Sequence, residues 1–258
     1  HKVVLVNPVS HKQSCILEDP PTAMSQPSPS VLQAWLGADC VCFDVDSTVC
    51  VDEGLDNLAE FCGVADKVKA LTNKAMNGDM TFEESFEARL SMMGLTRQKL
   101  DQFVSQHPPK LTPNVVNLVQ LLEQRNKRVY LITGGVSDLV KPVLTALSLP
   151  DNRLISNRLL FDENTGEFLG HDRSCFTCRS GGKAAAVKHL RVDLGYRSVA
   201  MIGDGVTDME ARSECDLFVG FGGNVERAQV VAGADWFVRD FRELAKPLLE
   251  RDANCNMP

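Results

Sequence analysis

The chain has 258 residues, 44% hydrophobic and 24% charged, enough to bury the core of one large α/β unit or of a core with a small second domain. A formal net charge of −7 and a pI near 5.3 exclude a general binder of nucleic acid or of anionic membranes, since an acidic surface repels both. No apolar run approaches the ~20 residues that span a bilayer, so a soluble protein without a membrane partner is expected.

Residues 1 to 30 carry Pro8, Pro20, Pro21, Pro27 and Pro29 among serines and show no periodic apolar pattern, the composition of a disordered tail. Lys2 and Lys12 with no acid before Glu18 suit the remnant of an organelle transit peptide, although arginine is absent; a bland linker is the alternative. Cys40-Val41-Cys42-Phe43 is short, apolar and flanked by polar residues, which predicts a central strand of a parallel sheet with both cysteines as buried small hydrophobes. At its end, Asp44-Val45-Asp46-Ser47-Thr48 puts two carboxylates where a buried strand meets a loop, the place at which ligands gather in such sheets. Taken alone this stretch is equally a solvated turn, or a helix cap at Asp46 or Thr48.

From Val49 to Lys110 the apolar spacing is helical throughout, as in Leu55, Leu58, Ala59, Phe61, Cys62 and again in Phe82, Phe86, Leu90. A helical cap over residues 50–110, inserted into a core of residues 31–49 and 111–258, is the expected division. Thr112 is expected to cap a helix that Pro113 leads into Val115–Leu122. The strand Val129–Ile132 follows and ends on Thr133-Gly134-Gly135, and a helix runs through Leu139 to Leu147. The stretch Arg153–Phe161 and Glu167-Phe168-Leu169, joined by the Asn164-Thr165-Gly166 turn, predict a small hairpin. Gly181-Gly182-Lys183 opens a helix to Leu190; strand Val199–Ile202 ends on Gly203-Asp204-Gly205-Val206-Thr207-Asp208, which leads into a helix from Asp208 to Arg212. Strands at Leu217–Phe221 and Trp236–Val238 complete an alternation whose natural form is a doubly wound, mostly parallel α/β sheet built from right-handed crossovers.

Nine cysteines in a chain of this length are no disulfide scaffold, and the odd number leaves at least one unpaired within the monomer. Cys175-Phe176-Thr177-Cys178 reads as a plain loop, with a redox pair or half a metal site as the alternative; an oxidisable pair here would couple redox state to Lys183.

A parallel sheet brings the ends of its strands side by side. The clusters at Asp44, Thr133, Lys183 and Asp204 would then form one pocket with several acids, a hydroxyl, free backbone amides and an ammonium, an inventory that suits phosphoryl transfer with a divalent metal. Each cluster has a duller reading: a tight strand-helix turn at Thr133, a solvated first-turn lysine at Lys183, and helix caps at Asp204 and Asp208.

In type and order these four clusters resemble the motifs of the haloacid dehalogenase-like phosphatases. The stretch from Val41 through Asp44-Val45-Asp46-Ser47-Thr48-Val49 to Asp52-Glu53-Gly54 is similar to the first motif and cap start of the members that hydrolyse phosphoserine. So are Ala75-Met76-Asn77-Gly78 with Phe82 and Arg89, and Arg179-Ser180-Gly181-Gly182-Lys183. Cys50-Val51-Asp52-Glu53-Gly54 and Leu58-Ala59-Glu60-Phe61-Cys62-Gly63 look most like the plant members, and the likeness spans about residues 31–245.

The resemblance implies hydrolysis of O-phospho-L-serine through an aspartyl phosphate, the last step of phosphorylated serine biosynthesis, with Asp44 as nucleophile and Asp46 as general acid and base. It implies Mg²⁺ on the Asp44 carboxylate, the Asp46 carbonyl and Asp204, with Asp208 orienting Asp204 or a water behind them. Thr133, Gly134, Lys183 and Thr207 would hold the phosphate, Glu53 and Arg89 the ammonium and carboxylate of the substrate, with Met76 and Phe82 as apolar walls. Phosphoserine is then the partner, the plastid stroma the expected compartment with the cytoplasm as alternative, and a homodimer is left open as the assembly. A receiver-type signalling module shares an Asp, a Thr and a Lys but has no acid two places after the first and no cap. An inactive binding protein on this scaffold would tolerate loss of Asp44 or Asp46, and both are present. A phosphatase for another small phosphomonoester is the nearer rival, and Glu53 with Arg89 is what separates them.

Overall fold

The computed structural model describes residues 26–76 and 79–255, the side chains at 73, 75, 76 and 252–255 excepted. Most of the expected tail, the Met76 side chain, Asn77 and Gly78 thus lie outside the described residues. In chain order the elements are α1 (Pro29–Gly37), β1 (Cys40–Phe43), α2 (Gly54–Phe61), α3 (Ala65–Met76), α4 (Phe82–Met92), α5 (Arg97–Gln106) and α6 (Val115–Gln124). Then come β2 (Arg128–Val136), α7 (Ser137–Ala146), β3 (Leu154–Asn157), β4 (Leu159–Phe161), β5 (Phe168–His171), α8 (Gly182–Val192) and β6 (Val199–Gly203). The chain closes with α9 (Val206–Glu210), β7 (Leu217–Phe221), α10 (Ala228–Gly233), β8 (Trp236–Val238) and α11 (Phe241–Cys255).

Six strands form one parallel sheet in the order β3-β2-β1-β6-β7-β8. The chain winds outward from β1 to β3, returns to the centre, and winds the other way from β6, so the direction reverses between β1 and β6. This doubly wound topology is the expected one. Alternate side chains of each strand feed opposite faces. Val41, Phe43, Val129, Leu131, Ala200 and Ile202 pack with α1, α6, α7 and α11, while Cys40, Cys42, Tyr130, Ile132 and Met201 pack with α8 and α10.

The first helix begins inside the stretch expected as tail. Ser28 Oγ accepts from the Val31 amide, Pro29 takes the first turn, and Trp35 is fully buried with its indole N–H donating to the Leu244 carbonyl at 3.0 Å. Thr112 does not cap α6 as expected: Asn114, in the left-handed region, takes that position. The Thr112 hydroxyl instead donates to the Thr48 carbonyl at 2.7 Å, tying the return strand to the loop after β1. A residue so close to a second chain crossing serves the tertiary contact first.

Residues 54–106 are the four helices α2 to α5, joined to the sheet by two linkers that run antiparallel, with Cys50 bridged to Leu111 and the Val51 amide donating to the Lys110 carbonyl. The expected hairpin is present as β4 and β5, but Arg153–Phe161 is split, β3 joining the main sheet and β4 leaving it. The hairpin sides with the cap: Leu159, Phe161 and Phe168 pack with Phe86, Leu90 and Leu95, and Thr96 bridges to Glu167.

Trp35→Ala removes a fully buried indole that joins α1 to α11 and lies edge-on to Trp236, and is expected to cost about 3–5 kcal/mol in urea unfolding. A loss under about 1 kcal/mol would mean that α1 contributes little to the core.

Candidate active site

Asp44 follows the last residue of β1, and its amide donates to the Ile202 carbonyl at 2.9 Å, fixing it against the end of β6. Asp204 follows β6, so both acids stand at the reversal point of the sheet, where neighbouring strand ends open a crevice. The backbone then turns sharply, with Ser47 at φ 54°, in the left-handed region. That turn aims Asp46 at α2, where its Oδ1 accepts from the Gly54 amide at 2.8 Å, and lets Thr48 Oγ1 donate to Asp204 Oδ1 at 3.1 Å. Asn224, in the loop after β7, clamps the turn by donating to the Ser47 carbonyl at 3.0 Å and to Thr112 Oγ1 at 2.7 Å.

Lys183 enters from the first turn of α8. Its Nζ lies 2.7 Å from Asp44 Oδ1 and 2.6 Å from Asp208 Oδ1, all three groups being buried. Two glycines make this possible. A Cβ on Gly182 would stand 2.3 Å from the Phe176 carbonyl oxygen, and one on Gly203 would stand 2.2 Å from Asp208 Cγ. Burial alone would depress Lys183, but the charges of Asp208 and Asp44 outweigh it and hold the ammonium above its ordinary range. Asp44 is pushed up to about 7 by burial and then by Asp208, with Lys183 opposing. Asp46 has no such close cation: burial, then Glu53 and Asp44, push it up to about 8. Asp204 is also raised, chiefly by burial and then by Asp44, although Arg227 pairs with it at 3.0 Å.

These groups line a cavity of about 250 Å³ to which α2 and α4 also contribute, through Leu55, Asp56, Phe82 and Arg89. Of the residues singled out in the sequence, Asp44, Asp46, Glu53, Phe82, Arg89, Gly134, Lys183, Asp204 and Thr207 face it. Glu53 accepts from Ser47 Oγ at 2.7 Å, and its carboxyl is raised by burial. Arg89, half-buried, donates from Nε to the Ser85 carbonyl at 3.3 Å and feels Asp56 and Glu53. Two expected residues stand behind the wall. Thr133 is fully buried, its Oγ1 accepting from the Gly135 amide at 2.9 Å, so Gly134 and Gly135 form the surface there. Asp208 holds Lys183 and accepts from the Gly205 amide at 2.9 Å, rather than touching Asp204.

Sequence reasoning passed over Arg227, Asp56, Ser47 and Asn224. The turn signal Gly222-Gly223-Asn224 after a buried strand was available, in the same position as the clusters after β1 and β6.

Carboxylate oxygens of Asp44, Asp204 and Asp208 lie within 4.8 Å of one another. Hard oxygen donors converging so closely fit a divalent cation, which would relieve the repulsion among acids that Lys183 and Arg227 offset in part.

Residues 38–216 match the family model for haloacid dehalogenase-like hydrolase. The chain belongs to the haloacid dehalogenase-like hydrolases. Within this hydrolase family it is 46% identical over 224 residues to the chloroplastic phosphoserine phosphatase of Arabidopsis thaliana, covering 86% of this chain and 76% of that protein. It is 44% identical over 213 residues to the phosphoserine phosphatase of Bos taurus, covering 83% of this chain and 94% of that one. Among solved structures, DsGPDH of Dunaliella salina superposes with a TM-score of 0.77 at 35% identity, over 86% of this chain; this chain spans 38% of that longer protein.

For this hydrolase the raised Asp46 carboxyl has a thermodynamic consequence. A carboxyl held above its unfolded value keeps a proton in the folded state that the unfolded chain has released, so stability falls as pH rises from about 4 to about 8. Asp46→Asn keeps the oxygen that accepts from Gly54 and removes the charge. In metal-free buffer it is expected to raise Tm by about 2–4 °C at pH 8 and by less at pH 5. An equal shift at both pH values would contradict the electrostatic origin.

Proposed function

We propose that this chain hydrolyses O-phospho-L-serine to L-serine and phosphate, the closing step of serine formation from phosphorylated precursors. What carries the reading is one cavity in which Asp44 and Asp204 at the strand ends, with Lys183 from α8, face Glu53 and Arg89 on the helices of residues 50–110. The 44–46% identity to phosphoserine phosphatases over most of the chain supports it.

In this reading Asp44 attacks the phosphorus; the bond from phosphorus to the serine oxygen breaks, and the phosphoryl group passes to the carboxylate. Asp46, whose raised carboxyl carries a proton at neutral pH, gives it to the departing oxygen. Water then attacks the phosphorus of the aspartyl phosphate, Asp46 takes the proton, and Asp44 is restored. Lys183, the Gly134 amide and Thr207 hold the charge-bearing equatorial oxygens, with Thr133 behind the wall fixing the Gly134-Gly135 turn. Arg89 grips the substrate carboxylate, Glu53 accepts from its ammonium, and Phe82, with Met76, excludes water from both contacts. Mg²⁺, held by the Asp44 carboxylate, the Asp46 carbonyl and Asp204, would neutralise charge on the phosphate when bound. The helices over residues 50–110 act as the cap that keeps stray water from the phosphoryl group.

The plastid stroma is the compartment we assign, by the chloroplastic Arabidopsis relative and the lysine-bearing, acid-free start of the chain. Among the described residues no helix is long and apolar enough to cross a membrane.

Phosphate release from L-phosphoserine is expected to require Mg²⁺ and to fall by about 10³-fold or more in Asp44→Asn. Comparable turnover of sugar phosphates would defeat the substrate assignment and leave the reaction class standing. Arg89→Ala is expected to lose about 30-fold or more in kcat/KM on phosphoserine, the worth of ~2 kcal/mol, and only a few-fold on an aryl phosphate without a carboxylate. Equal losses on both substrates would remove Arg89 from substrate selection.

A further inference from the structure

Cys175 and Cys178 flank a single 3-10 turn, Phe176–Cys178, that runs directly into the loop carrying Lys183. Across such a turn a rise of about 2 Å per residue puts the Cα atoms of Cys175, which precedes it, and Cys178, which ends it, ~6 Å apart, within the span a disulfide bridges. Cys178 Sγ already lies 3.0 Å from the carbonyl oxygen of Cys175, so the thiol of one residue is held against the backbone of the other. The two thiols differ in access: Cys175 is half-buried, Cys178 only 5% exposed. Arg158 stands close enough to Cys175 for their charges to interact.

The turn has no slack. Thr177 Oγ1 donates to Asn157 Oδ1 at 3.1 Å, and Asn157 Nδ2 donates to the Gly134 carbonyl at 2.8 Å. Thr177 itself lines the active-site cavity, with Arg179, Ser180, Gly181 and Gly182. Gly182 is packed so closely on Phe176 and Thr177 that a Cβ there would lie 2.3 Å from one backbone atom and 2.7 Å from another. Any twist at 175–178 is therefore passed to Gly134 and to Lys183, both of which line the cavity.

We propose that Cys175 and Cys178 are a dithiol modification site, oxidised by low-molecular-weight disulfides of the glutathione class, and that the resulting disulfide weakens phosphate binding at the adjacent cavity. The Cys175 thiolate attacks a sulfur of oxidised glutathione, forming a mixed disulfide and releasing one glutathione thiolate. The Cys178 thiolate then attacks Cys175 Sγ, closing the intramolecular bond and releasing the second glutathione. Two thiols lose two electrons and two protons, and one disulfide is reduced to two thiols. The effect on turnover rests on the phosphatase reading; the bond and the loss of phosphate affinity do not.

The full chain is equilibrated with oxidised or reduced glutathione, and three properties are read: peptide mass maps, calorimetric affinity for inorganic phosphate, and phosphoserine turnover. The expected result is a Cys175–Cys178 disulfide, phosphate affinity and turnover each lowered about tenfold or more, recovery with dithiothreitol, and no such response in Cys175→Ser. Free thiols at both positions under oxidised glutathione would overturn the site. A disulfide with unchanged phosphate affinity would overturn its coupling to the cavity, as would an equal loss in Cys175→Ser. Should the reduced chain turn over no phosphoserine, the phosphatase reading fails alone, because mass map and phosphate affinity still decide the switch.

Discussion

The site depends on one electrostatic constraint: Asp44, Asp46, Asp204 and Asp208 are gathered at the end of a close-packed sheet with Lys183 as the ammonium among them. Carboxylates taken from water cost free energy unless paired, and a single cation cannot balance this set. Much of the local structure answers that cost. Lys183 bridges two acids, Arg227 pairs with a third, and backbone amides of Gly54 and Gly205 donate to Asp46 and Asp208. The remaining imbalance appears as raised carboxyls, and it makes the crevice receptive to a cation, while the ammonium and free amides beside it suit the oxygens of a phosphate.

Topology supplies the gathering at no extra cost. Reversal of winding between β1 and β6 leaves their ends uncovered by any crossover, so Asp44 and Asp204 meet in a crevice. The two linkers of the cap leave from this same edge, one of them beginning within the turn after Asp44. Cap residues Glu53 and Arg89 therefore reach the cavity without a long loop, and Asp46 can bond to the first residue of α2. The hairpin β4–β5 packs its apolar face on α4 and enlarges a cap that four short helices alone would leave thinly cored.

What the sequence made legible follows from this. A buried strand that stops at Asp announces both its direction and its exposed end; β2, expected to stop at Ile132, runs on through Thr133-Gly134-Gly135 to Val136, whereas β1 and β6 and the acids after them could be read locally. Side-chain orientation at a bend could not: whether Thr133 or its neighbouring glycines line the cavity depends on backbone torsions that the residue types permit either way. Thr112 was misread because its role is a contact with Thr48, sixty-four places earlier in the chain. The hairpin's alliance with the cap has the same origin, since Leu159 and Phe168 meet residues such as Phe86 that pattern alone assigns to another unit.

The two acids after β1 are of one residue type, two places apart, yet they cannot exchange tasks. Asp44 sits against Lys183, whose ammonium favours its charged form, the form an attacking carboxylate needs under the proposed phosphatase reading. Asp46 looks the other way, toward Glu53 and the start of α2, where neighbouring charge is negative and the proton is retained. The left-handed kink at Ser47 supports this separation: it turns the chain so that Ser47 Oγ donates to Glu53 and Thr48 to Asp204. A regular strand through 44–48 would set both acids on one face, and a regular helix would turn them to nearly opposite sides. Under the proposed phosphatase reading, the division of labour between nucleophile and proton carrier comes from backbone direction and from which acid receives the lysine, not from the chemistry of the side chains themselves.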